Sequence, residues 1–140
     1  MDKEGSERFE ASLGTTEALA LYGALEDLAY GLAVDEAREG ELKGIYVLIR
    51  RVGVHLDALV GDRDATLSFT PAEWTVFDEA LRGRWQALTA ARKRWDFTGD
   101  DDLSRMMFRL THLESCRVMD AALAMMRATG ANENDFPAWG

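Results

Sequence analysis

One cysteine, two histidines and two prolines in 140 residues leave little material for a redox centre or an imidazole site, and few sites where proline would break the chain's regular structure. Cys116 has no partner for an internal disulfide, so the fold does not depend on an oxidising compartment. No stretch approaches the ~18 uncharged apolar residues of a membrane span. The opening residues Met1 to Arg8 are charged and lead into no apolar core of a secretion signal, which sets a cytoplasmic expectation. Positive charge is also scarce: 16 basic residues face 25 acidic ones, a net charge of −9. Such a balance repels polyphosphate backbones and anionic lipid over about a Debye length, ~10 Å in ordinary salt, so neither nucleic acid nor membrane is an expected partner. The densest cationic run, Arg92-Lys93-Arg94, falls where a helix should end and where cations suit the last carbonyls.

What is abundant is helical periodicity. Leu21, Leu25, Leu28 and Leu32 form one apolar seam, and Leu42, Ile45, Ile49, Val52, Leu56 and Leu59 form another. Steps of three and four residues are the mark of helices packed on helices. The first helix should start at Thr15-Thr16, with Glu17 in its first turn, and run to about Ala33. Residues 34 to 41 allow either a solvated helical extension or a turn in which Asp35 caps the next helix. The second helix should span Leu42 to Leu59, stop at Gly61 and lead into a polar connection of about nine residues. Thr70, Pro71 and Glu73 give the clearest start signal in the chain, a capping box opening a third helix that ends near Trp95. A turn through Asp96 to Asp100 precedes a fourth helix from about Asp102 to Ala128.

These elements predict an all-α protein of one domain, residues 1–140, built as an antiparallel up-down-up-down four-helix bundle. Residues 1–14 read as a loose tail or a short extra N-terminal helix, and 130–140 as a second loose tail. Gly23, Gly31, Gly44 and Gly53 inside the first two helices predict close helix approach.

The fourth helix carries apolar residues on more than one side. Leu103, Met106, Leu110 and Leu113 make one line; Cys116, Met119, Leu123 and Met126 make another, and five of the six methionines lie here. Thioether side chains adapt to irregular partners, which makes Met107, Met119, Leu123 and Met126 candidate interface residues; the competing reading is a central helix buried around more of its circumference.

Candidate chemistry centres on His112, Cys116 and Asp120, spaced i, i+4, i+8 along one helix face. In an up-down bundle His55 on the second helix lies at similar depth, and together the four supply donors suited to zinc. No Cys-x-x-Cys or His-x-x-x-His spacing supports a metal, and no glycine-rich loop or helix N-terminus supplies oxyanion donors beside Cys116, so catalytic residues are not assigned. Asp62, Asp64, Thr66, Ser68, Thr70 and Glu73 imitate the spacing of a calcium loop, but Leu67 stands where that loop needs glycine. Glu36-x-x-Glu39 is half of a paired-carboxylate magnesium site whose other half is absent, since no glutamate occurs between Glu41 and Glu73. Trp74, Trp85, Trp95 and Trp139, with Phe77, Phe97 and Phe108, read as core and edge packing able to line a pocket between helices.

The functional expectation is a non-enzymatic interaction protein, of the adaptor, chaperone-like or regulatory kind, that works through helix surfaces as a homodimer or with a protein partner, without cofactor. The alternative is a bundle interior that holds zinc or a small ligand beside His55, His112 and Cys116.

Overall fold

A computed structural model describes residues 7–63, 65–94 and 101–130, with Glu36 described by its backbone alone. Along the chain run β1 (Phe9–Ala11), α1 (Thr15–Ala33), a 3-10 segment (Glu36–Glu41), α2 (Leu42–Val60), β2 (Leu67–Phe69), α3 (Pro71–Arg92) and α4 (Asp102–Thr129). The expected helices are present. The turn preceding α4 and the Trp95 and Trp139 positions lie outside the described residues.

Helix ends follow local chemistry. Thr70 accepts from the Glu73 N–H (3.1 Å) while the Glu73 carboxylate accepts from the Thr70 N–H (2.9 Å), and Pro71 fills the first helical position. Asp101 caps α4 by accepting from the Leu103 N–H (3.0 Å), and Gly130 closes it in the left-handed conformation at φ 81°. Between α1 and α2, Asp35 accepts from the Ala37 N–H (3.1 Å) and opens the 3-10 segment, so the choice left open there resolves as a capped turn. Asp62, at φ 56°, is left-handed and ends α2; Ser68 lies in a strand, and Thr70 and Glu73 serve the cap. Strand pairing, the turn after α2 and the cap account for the described residues of that stretch, and Asp64 lies outside them.

The N-terminal segment corrects an expectation. In place of a loose tail or a short helix, Phe9–Ala11 pairs antiparallel with Leu67–Phe69, Phe9 opposite Phe69 and Ala11 opposite Leu67. The polar connection before α3 thus contains a strand. Ala11, Leu13, Leu67 and Phe69 are buried, and Phe69 is the hub of an aromatic cluster with Phe9, Trp74 and Phe77 at centroid distances of 5.6, 6.3 and 5.8 Å. Two alternating triplets are too short to register as strands until each finds the other as a partner.

α1 is the central helix: it packs against α2, α3 and α4, while α3 packs on α4 and β1 also touches α4. Its buried face, Ala18, Ala20, Leu21, Ala24, Leu25, Ala29 and Leu32, is rich in alanine, which admits neighbours closely from several sides. The α2 seam is rotated slightly from expectation, with Ile45, Leu48, Val52 and His55 buried and Leu42, Ile49, Leu56 and Leu59 half-buried. In α4 the buried residues Ser115, Val118, Ala121, Ala122 and Met125 run between the two lines drawn from the sequence. Of the four glycines inside α1 and α2, Gly53 alone meets a neighbouring helix, with Tyr22 at 3.7 Å from a would-be Cβ; Gly23, Gly31 and Gly44 face open space and do not mediate close approach.

Candidate functional site

The candidate metal residues fall into two places. His55 is buried, its Nε2 2.9 Å from the Leu13 carbonyl. A carbonyl only accepts, so Nε2 carries the hydrogen, and Nδ1 is left buried without a partner. The ring thereby pins the chain between β1 and α1 onto α2. His112 is exposed on α4, stacked on Phe108 (6.4 Å between centroids, 14° between planes), with Arg92 Nη1 2.8 Å from its Nδ1. A guanidinium only donates, so Nδ1 accepts and the hydrogen sits on Nε2, which faces the Cys116 sulfur at 3.8 Å. His112 is accordingly a donor toward Cys116, the wrong polarity for a base that would activate a thiol.

His112 and Cys116 are thus brought together, Asp120 is exposed one turn further on, and His55 stands apart from them. Among the described residues no group of three or more histidine, cysteine, aspartate or glutamate side chains is arranged to hold a metal ion. The expected convergence of His55 with the α4 pair fails because α1 occupies the middle of the packing.

The interface candidates Met107, Met119, Leu123 and Met126 are all half-buried, and Met119 packs against the core. The exposed apolar surface of α4 lies on the other line: Leu103, Met106, Leu110 and Leu113 are 57, 52, 54 and 46% exposed. Further exposed apolar residues are Leu19, Tyr30 and Val34 on or just after α1, and Tyr46, Val47, Val54 and Val60 on α2. The three-four-three spacing of the α4 row is visible in the sequence, whereas the methionines of the helix lie mainly off that row.

Two grooves border α3. One, of about 470 Å³, has an apolar floor of Leu28, Leu32 and Ala80 and a rim on which Arg84 pairs with Asp27 (2.7 Å) and Arg38 with Glu79 (3.0 Å). Arg38 also forks onto Glu41 at 2.7 and 2.9 Å, holding that carboxyl below its ordinary range. The second groove, about 420 Å³, separates Gly44, Ile45 and Leu48 of α2 from Ala72 and Val76 of α3. Near it Arg51 bridges to Glu73 (2.7 Å), with Arg8 4.0 Å away on the same carboxylate. Partial burial would raise the Glu73 pKa, but the Arg51 hydrogen bond, the Thr70 N–H and the charges of Arg51 and Arg8 outweigh it and hold the group below its usual range. Each arginine named on these rims is held by at least one carboxylate, and on the first rim Arg38 serves both Glu41 and Glu79.

No helix among the described residues is long and apolar enough to cross a membrane. No family model, curated protein or solved structure matches the chain.

Proposed function

We propose that the chain is a non-enzymatic helical interaction protein, of the adaptor, chaperone-like or regulatory kind, that works as a homodimer in the cytoplasm with its helices in an up-down-up-down bundle. The observation that supports this most is the exposed row on α4. Single exposed apolar residues are ordinary, whereas three leucines and a methionine on successive turns form a contiguous apolar strip that water disfavours and a partner would cover. Static light scattering at micromolar concentration tests it: a mass approaching twice 15.6 kDa is expected, and 15.6 kDa at every concentration contradicts it.

The second reading, a bundle that binds a metal or small ligand, draws on the partnerless Nδ1 of buried His55 and on the adjacent His112 and Cys116. Elemental analysis of protein purified without added ions separates the two. Stoichiometric zinc that disappears in Cys116→Ser or His112→Ala would replace the first reading by the second.

A further inference from the structure

We infer that the groove between α1 and α3 is a binding site for a small organic cation, an apolar or aromatic body that carries one ammonium or guanidinium group. The site lies apart from the α4 row and from His112 and Cys116, and it does not depend on the homodimer reading.

The space comes from what the two helices leave out. Gly31 on α1 and Gly83 on α3 both line the groove, and a Cβ added at either one meets nothing within 4 Å. Beneath them Leu32 and Ala80 are buried and Leu28 is half-buried, which gives the gap an apolar floor. Its volume of about 470 Å³ is that of a small-molecule cleft, where apolar walls hold the body of a ligand and a few polar groups fix its orientation.

Charge decides which ligand fits. Asp27, Asp35 and Glu79 face the groove together with Arg38 and Arg84. Arg84 is taken by Asp27 at 2.7 Å. Arg38 is divided between Glu79 and Glu41, so one guanidinium answers two carboxylates. Asp35 has no cationic partner among the described residues; its Oδ1 accepts from the Ala37 N–H at 3.1 Å and its second oxygen is open. Four carboxylates thus surround two guanidiniums, in a chain whose net charge is −9. An anion entering here must displace Asp27 or Glu79 from its arginine and approach a field of its own sign. A cation supplies the missing counter-charge at Asp35 while its body covers Leu28 and Leu32. Tyr30, 78% exposed on the same rim, adds an aromatic ring of the kind on which organic cations settle. Because the rim charges are partly solvated, the preference for a cation should weaken as salt is added.

The test titrates the ¹⁵N-labelled full chain with three probes that share a naphthalene body: 2-naphthylmethylammonium, 2-naphthylmethanol and 2-naphthoate. The cation should shift the amides of Gly31 and Gly83 saturably and bind at least about fivefold more tightly than the alcohol, with the carboxylate weakest. Gly83→Leu places a side chain in the gap and should abolish the shifts at Gly31. Leucine also suits a solvated helical position better than glycine, and circular dichroism checks that the variant folds. Asp35→Asn keeps an oxygen for the Ala37 N–H but removes the open charge, so the advantage of the cation over the alcohol should shrink while the alcohol binds as before. Naphthoate or the alcohol binding as tightly as the cation would overturn the inference. So would shifts centred away from the groove, a preference unmoved by Asp35→Asn, binding that survives Gly83→Leu, or no saturable shift with any probe. None of these outcomes bears on whether the chain dimerises.

Discussion

Glu73 does the work of three residues. It closes the α3 capping box, anchors Arg51 from α2 and faces Arg8 beside β1. Because the folded group holds its proton less tightly than the unfolded one, its contribution to stability is complete above the ordinary glutamate pKa, ~4.3, and disappears as pH falls through the lower folded value. Denaturant midpoints should thus drop with acidification in that window, and Glu73→Gln should reduce the drop; an unchanged slope would show that Glu73 is not responsible. Thr70→Ala removes the other half of the box and should cost about 1 kcal/mol in the same assay. His55→Ala strips the Leu13 carbonyl of its donor and should cost about 1–3 kcal/mol at neutral pH. Some of this was legible in advance: Thr70, Pro71 and Glu73 announce a cap by spacing alone. The Arg51 and Arg8 contacts were not, since ion pairs 22 and 65 positions apart in sequence leave no periodic trace.

Among the elements, the helices were readable and the strands were not. The apolar seams marked α1 and α2 to within a residue or two, because a long repeat accumulates signal. Phe9–Ala11 and Leu67–Phe69 carry three residues each, and their meaning comes from pairing between positions 56 to 60 apart in sequence. The small ladder is nonetheless structural, since its inward residues are buried and it joins the segments leading into α1 and α3. Hydrogen exchange checks this: in His55→Ala the ladder amides of residues 9–11 should exchange faster than those of α1. Equal protection would mean that His55 does not fasten the segment. Two helical glycines show the converse. Gly31 and Gly44 were expected at close approaches, yet a methyl group there meets nothing, so Gly31→Ala or Gly44→Ala should gain about 1 kcal/mol in denaturant unfolding. A loss of stability at either site would indicate crowding that the structure does not contain.

At the scale of the whole molecule, one central helix with partners on several sides uses its apolar surface for cohesion and leaves α4 with a face to spare. The sequence disclosed both lines on α4 but not their fates, because burial depends on where α1 and α3 lie relative to that helix, and periodicity within α4 is silent about that. The same placement of α1 divides the histidines: His55 is spent on the backbone at Leu13 and His112 on Arg92. What remains outward is a short apolar row along α4. Sedimentation equilibrium of wild type and Leu110→Glu, run side by side over a range of concentrations, tests this most directly. Wild type should climb from 15.6 kDa toward double that mass as concentration rises, with Leu110→Glu fixed at the lower value. Two superimposable curves, whether both rising or both flat, would contradict the account.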